Sequence, residues 1–186
     1  TVKWLRTRGI LSVPLQTVVG SEVSTLGNRF GHFNVFPLRT NQNVVSDGTT
    51  PAKLFADARK QSPKGVLQVN HPRLDPNLGY FTRFGMDPDT ADVAIAGYSA
   101  AFDTLEVYNG DEAYELKEVK KVFYDWIHLL GKGHRYAATG SSDSHKLAFL
   151  GPGLPRTLIR HGAGSDDAAD VDAPTSRVLD AIKRGH

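Results

Sequence analysis

The 186-residue sequence contains no cysteine. Disulfide bridges, thiolate metal sites and a thiol nucleophile are therefore excluded. The G-x-S-x-G motif that presents a serine nucleophile is also missing. Any metal ion would have to be held by histidine, aspartate and glutamate, a donor set that suits zinc, manganese or iron. The lack of cysteine does not fix a cellular compartment, so the localisation stays open.

An excess of charge of one sign and a long apolar run are missing too. The chain has 22 Lys and Arg residues against 20 Asp and Glu residues, a formal net charge of +2. A nucleic-acid-binding protein would show a strongly basic stretch, and a membrane-spanning helix would show an apolar run of about 20 residues. We therefore expect neither nucleic acid nor a membrane as a partner.

The composition is typical of one globular domain, with 40% hydrophobic and 23% charged residues. A chain of this length can bury a core. No internal repeat and no linker is visible in the sequence. We therefore predict a single domain over residues 1–186.

Runs rich in β-branched residues alternate with amphipathic stretches along the chain. The runs predict strands at 15–25, 31–38, 65–72, 102–110, 135–145 (running into a loop) and 154–161. Helices are predicted at 49–61, with Thr50 as N-cap and Pro51 at the first helical position, at 112–130 and at 175–185. Alternation of strands and helices argues for an α/β fold, layered or barrel, with a largely parallel sheet.

Three segments have further predicted roles. In the helix at 112–130 the apolar residues recur at helical spacing, which predicts that they face the core: Leu116, Val119, Phe123, Trp126, Ile127 and Leu130. Residues 73–101 form a long irregular segment, whose aromatic residues Tyr80, Phe81 and Phe84 would shape a substrate pocket. The small and acidic stretch 162–173 predicts a surface loop.

Polar residues with ligand atoms stand at the ends of five predicted strands. They are Glu22, His32, His71, Glu106 with Asn109, and Asp143 with His145. In parallel α/β folds the chemistry gathers at the carboxyl ends of the strands. Asp143 and His145 are two residues apart, so on an extended chain both side chains leave the same face. Together these residues could converge on a metal ion from different strands.

Each of these residues also has a structural explanation when it is taken alone. Glu22 could be a surface glutamate, and His32 a half-buried histidine bonded to the backbone. His71 could belong to a turn, and Asp143 could cap a short helix. Arg156 could be a solvated arginine or a clamp for an anion. The case for a metal site therefore depends on the set and not on one member.

The pieces GSEVST, GHFNVFPL, VNHPR, LEVYNG, TGSSDSH and GLPRTLI occur in this order from about Gly20 to Thr157. The ordered set resembles the PHP (polymerase and histidinol phosphatase) superfamily of metal-dependent hydrolases. The closest likeness is to its carbaryl-hydrolase-like branch, called CehA/McbA, whose members are bacterial. The resemblance implies a distorted (β/α)7 barrel of mostly parallel strands, a TIM-like barrel with up to three metals at the carboxyl-end mouth.

The resemblance also implies roles for the residues at the strand ends. Glu22 matches a bridging glutamate, and His32 and His71 match the histidines that complete one metal position with it. Asp143 matches a ligand shared with another position, and His145 a ligand of a third. Glu22 and Asp143 would be the catalytic residues. Substrate-binding roles are expected for Glu106, Asn109 and Arg156, the first two as residues facing the substrate or standing behind the ligands.

The family opens with an H-x-H motif, and residues 1–19 contain neither a histidine nor a carboxylate. The resemblance therefore implies that the chain is a fragment, the C-terminal portion of a PHP-like barrel without its N-terminal strands. We expect an incomplete site that holds one metal ion instead of three and has little activity. An open barrel side would expose strand edges, which favours a homo-oligomer.

For the intact protein the resemblance implies hydrolysis of a small-molecule ester by metal-activated water. The substrate would be a phosphoester, making the enzyme a phosphoesterase, or else a carboxyl ester or carbamate. The alternative is a non-catalytic binding or scaffold module derived from the same barrel, in which the clustered His and Asp residues only form hydrogen bonds.

Overall fold

A computed structural model describes residues 8, 17–25, 29–110, 115–145, 152–160 and 175–186. In these residues five strands form one sheet and four helices accompany it. In chain order the elements are β1 Ser21–Ser24, β2 His32–Phe36, α1 Pro51–Gln61, β3 Val66–Val69, α2 Tyr80–Arg83, β4 Thr104–Asn109, α3 Leu116–Gly131, β5 Ala137–Ser141 and α4 Thr175–Arg184. The α/β class is confirmed. None of the helices described is long and apolar enough to cross a membrane.

The sheet is mixed, with the strand order β1-β2-β3-β4-β5. Strands β3, β4 and β5 are parallel, whereas β1 pairs with β2, and β2 with β3, in antiparallel fashion. The sheet is therefore not all parallel, because β2 runs against the other four strands and both of its pairings are antiparallel, whereas parallel pairing is confirmed for β3, β4 and β5. The segment between β1 and β2 is too short for the crossover connection that parallel strands need. After β2 the chain passes through α1 and returns as β3, in which Val66 pairs with Phe36, the last residue of β2. In the part of the chain that is described, the sheet is open, with β1 and β5 at its edges.

Helix α1 follows its sequence signals. Thr50 is the N-cap, its hydroxyl accepts a bond from the Lys53 N–H, and Pro51 is the first helical residue. The first turn of a helix leaves N–H groups without partners inside the helix. The Thr50 hydroxyl satisfies one of these groups, and Pro51 has no N–H that needs a partner. The predicted helix is confirmed.

The strand predicted at 154–161 is wrong for its described residues 154–160, which contain no strand. The Thr157 hydroxyl accepts from the Gly140 N–H at 2.9 Å and donates to the Gly140 carbonyl at 3.0 Å. A side chain therefore occupies the β5 edge where a backbone ladder would form, and Pro155 has no N–H to donate. The loop predicted at 162–173 lies outside the described residues.

The two faces of the sheet differ in chemistry. In one row Val23, Phe33, Val69 and Leu105 are paired across β1 to β4, and all four are buried. In the adjacent row, whose side chains leave the other face, the paired residues are Glu22, Asn34, Gln68 and Thr104. This alternation has the two-residue period of a strand. We call these faces the apolar face and the polar face.

The apolar face packs against α1 and the aromatic residues of segment 73–101. Phe33 meets Phe55 of α1 at 5.2 Å and Tyr80 at 5.3 Å between ring centroids. Tyr80, Phe81 and Phe84 are all buried in this core. The prediction that these three residues shape a substrate pocket is therefore wrong, because they fill the hydrophobic core on the apolar face of the sheet.

Helix α3 buries a different face from the predicted one. Its buried residues are Val122, Asp125 and Leu129, with Val119 and Trp126 partly buried against the core. Three residues of the predicted apolar face are exposed: Leu116, Phe123 and Ile127. Apolar spacing predicted a helix correctly but misplaced its contact face, because the core accepts the carboxylate of Asp125 together with a buried arginine partner.

Candidate metal centre

Glu22, His32 and His71 come together at one end of the polar face. His32 Nδ1 lies 3.4 Å and His71 Nε2 lies 3.7 Å from Oε1 of Glu22. The two imidazole rings are 5.0 Å apart between centroids and nearly perpendicular. One potential ligand atom from each residue lies within 4.8 Å of the others. The structure thus brings together three of the five residues predicted to bind metal.

The register of three strands explains this convergence. In the β1–β2 pair Glu22 faces Asn34 and Ser24 faces His32, so Glu22 and His32 are diagonal neighbours on one face. His71 follows β3, where the Asn70 N–H donates to the His32 carbonyl at 3.1 Å. Residues far apart in the sequence therefore meet because β1, β2 and β3 are adjacent.

His71 is held in an uncommon backbone conformation, with φ at +25°. A side chain other than glycine reaches this region at an energetic cost, which surrounding contacts must offset. His71 is 3% exposed. Within the described structure its Nδ1 has no hydrogen-bond partner. Nε2 lies 3.7 Å from Glu22 Oε1, so this ring nitrogen is the one on the side of the carboxylate.

The cluster favours positive charge. The imidazoles of His32 and His71 hold the pKa of Glu22 far below its usual range. Burial lowers the pKa of His71, but the Glu22 carboxylate 3.7 Å away and the charges of Glu106 and Asp143 outweigh burial, so its pKa is raised. A proton at this place and a metal cation would both be stabilised by the Glu22 carboxylate.

A chain of buried amides orients Glu22. Asn70 Nδ2 donates to Glu22 Oε1 at 2.9 Å, and Gln68 Nε2 donates to Asn70 Oδ1 at 3.0 Å. The Gln68 carbonyl in turn accepts from the hydroxyls of Thr104 and Thr139. We did not predict a role for these residues from the sequence. The signal was present, since polar and apolar residues alternate in VLQVN and TLEVYN.

Glu106 and Asn109 lie beneath the cluster, 1% and 2% exposed. Glu106 Oε2 accepts from the backbone N–H of His71 at 2.6 Å and from Asn109 Nδ2 at 3.0 Å. Its Oε1 accepts from the Ser141 hydroxyl, and burial, the largest effect, raises its pKa. This placement favours support of the cluster over contact with a substrate.

Asp143 and His145 lie outside the three-residue cluster. Asp143 Oδ2 accepts from Asn109 Nδ2 at 3.0 Å, and its Oδ1 is 3.6 Å from His145 Nδ1. Asp143 also has a positive φ, +44°. Asn109 thus links Asp143 to Glu106, whereas the side chain of His145 is largely exposed.

Arg156 is exposed and belongs to a segment that packs on the turn after β4. A Cβ at Gly110 would lie 2.6 Å from Cδ of Pro155 and 2.8 Å from the Leu154 carbonyl oxygen. Only glycine permits this approach. The NG of LEVYNG and the LP of GLPRTLI are thus in contact, next to the Asp143 loop.

The chain matches no protein-family model, no curated protein and no solved structure. A functional conclusion therefore depends on the motifs and on the geometry of the cluster.

The residues present fit a divalent metal. Two imidazoles and one carboxylate form the His2Glu donor set of a catalytic zinc site, which leaves a coordination position for water or substrate. The same donors suit manganese or iron. The Glu22 side chain is 36% exposed, so the cluster is open to solvent on one side.

Proposed function

We propose that this chain carries a metal-binding site of a hydrolase that acts on an ester bond, of the PHP type that its motifs resemble. The observation that carries the proposal is the convergence of Glu22, His32 and His71 from three strands. We further propose that the sheet corresponds to part of a distorted (β/α)7 barrel. The parallel strands β3, β4 and β5 support this, since His71, Asn109 and Asp143 stand at or just after their carboxyl ends.

The residues of the chain would act as ligands and as a charged frame. A bound divalent ion would supply a water of lowered pKa and a Lewis acid for the scissile group. Glu22, His32 and His71 would hold that ion, and the open side at Glu22 would admit the ester. Asp143, held by Asn109, would be a ligand shared with another metal position, and His145 a ligand of a third, as the resemblance implies. The proposed substrate class is a small phosphoester, carboxyl ester or carbamate.

Metal content tests the proposal. The purified chain is dialysed against zinc, manganese or iron(II), then against buffer, and analysed for metal. We expect about one ion per wild-type chain and none in His71→Ala. Loss of a partner that only supports a ligand lowers metal affinity roughly 10–100-fold, and loss of a ligand itself should lower it further. His128→Ala is the matched control, since the His128 ring bonds to the Pro88 carbonyl and is not part of the cluster, and it should keep the ion.

A second candidate is the non-catalytic binding module. It is favoured by one observation, that Glu22 has His32, His71 and Asn70 as partners within the protein. A wild-type chain that retains no ion under these conditions would contradict the hydrolase and favour the module. If the ion is retained, hydrolysis of phosphoesters is then compared with that of carboxyl esters and carbamates.

A further inference from the structure

Glu106 is a buried carboxylate, and among the described residues no cationic side chain is bonded to it. Of the two most deeply buried carboxylates described, Asp125 pairs with an arginine, whereas Glu106 is bonded by the His71 N–H, Asn109 and Ser141. Burying an acidic group without a charged partner is costly. A leucine or glutamine of similar size would avoid much of that cost, so the position calls for a functional explanation.

The bonds to Glu106 come from the parts of the chain that carry the candidate ligands. Its Oε2 accepts from the His71 backbone N–H at 2.6 Å, and His71 has the strained φ of +25°. This bond holds the backbone in the conformation that presents the ring to Glu22. Glu106 therefore acts on the orientation of His71 through its backbone N–H.

Asn109 extends the same support to Asp143. Its Nδ2 donates to Glu106 Oε2 and to Asp143 Oδ2, both at 3.0 Å. Asp143 also has a positive φ, +44°. One carboxylate thus braces the loops after β3 and β5, while Glu106 itself is not among the three residues that could hold the ion.

We propose that Glu106 is a positioning residue that sets the metal affinity of the centre by holding His71 directly and Asp143 through Asn109. The inference depends on the proposed function, since it assumes that the centre binds a metal. Two other roles make different predictions. As a metal ligand, Glu106 would act through its charge and its own oxygen atoms. As a core residue, it would affect stability alone.

Three substitutions separate these roles. In Glu106→Gln the amide oxygen can still accept from His71 and Asn109, and the amide N–H can donate to the Ser141 hydroxyl, which is donor and acceptor. Glu106→Asp keeps the charge but withdraws it by one methylene from His71. Glu106→Ala removes every acceptor. Positioning therefore predicts that Gln preserves the centre better than Asp, whereas a ligand or charge role predicts the reverse.

The measurement is titration of the metal-free chain with cobalt(II), followed by the visible absorption of the bound ion. We expect Glu106→Gln to bind within about 3-fold of wild type, with the same band positions. Glu106→Ala and Glu106→Asp should bind about 10–100-fold more weakly, with shifted bands. A core role would not shift the bands of variants that circular dichroism shows to be folded.

Each outcome decides one question. Suppose that the wild type binds cobalt. The inference is then overturned if folded Glu106→Ala binds with unchanged affinity, or if Glu106→Gln binds more weakly than Glu106→Asp, and either result leaves the proposed function intact. A wild type that binds no cobalt refutes the proposed function and the inference with it. If Glu106→Ala does not fold, the order of the Gln and Asp variants decides alone.

Discussion

Breaking the buried ion pair between Arg73 and Asp125 should destabilise the fold strongly. Arg73 lies two residues after His71 and donates two hydrogen bonds to the Asp125 carboxylate, from Nε to Oδ2 at 2.7 Å and from Nη2 to Oδ1 at 2.5 Å. It also donates to the Met86 carbonyl at 2.8 Å. The pair therefore ties the segment after β3 to helix α3.

The magnitude follows from burial. The Asp125 side chain is 0% exposed and that of Arg73 is 10% exposed. Asp125→Ala leaves the guanidinium buried without its partner, which costs about 3–5 kcal/mol. This is a large part of the roughly 5–15 kcal/mol that stabilises a typical domain. The double variant Arg73→Met/Asp125→Leu removes both charges and should be much closer to wild type, although the Met86 carbonyl then loses its donor.

Urea unfolding followed by circular dichroism measures these free energies. Lys132→Ala is the matched control, because it breaks a pair of equal length, Lys132 Nζ to Asp92 Oδ1 at 2.5 Å, on the surface. We expect little change there, since water screens exposed pairs. The reasoning is refuted if Asp125→Ala unfolds as the control does, or if the double variant is less stable than both single variants.

Two further predictions concern the metal centre. The pKa of His71 is raised in the fold, so its protonated form stabilises the metal-free chain below about pH 6.5, and this contribution is lost as pH rises through the folded pKa. Zinc affinity should rise over the same pH window because zinc displaces that proton. Calorimetry at several pH values measures both the stability of the metal-free chain and the zinc affinity. If neither quantity changes with pH, the pairing of His71 with Glu22 is contradicted. Asn70→Ala removes the donor that orients Glu22 and should weaken zinc binding about 10–100-fold. Asn34→Ala, on the same face, is the control and should bind as wild type does.

Local sequence signals predicted most of the regular elements. The cap at Thr50, the proline after it and the β-branched runs act within a few residues, so they specify α1 and the strands without knowledge of their partners. The ordered motifs likewise pointed to Glu22, His32 and His71, because ligand residues at strand ends are a pattern in the chain itself. The bonds from the His71 N–H to Glu106 and from Asn70 to Glu22 could not be predicted in this way, since each joins residues of different strands or of the loops after them.

The sequence by itself determined the α/β class, the positions of helix α1 and strands β2 to β5, and which residue types could serve a metal. Only the tertiary structure decided the antiparallel pairing of β1 and β2, the exposed position of Phe123, and the burial of Tyr80 in the core. The physical reason is range. Capping and periodicity are properties of neighbouring residues, whereas register, the buried face of a helix and the partner of a buried charge such as Asp125 depend on segments distant in the chain.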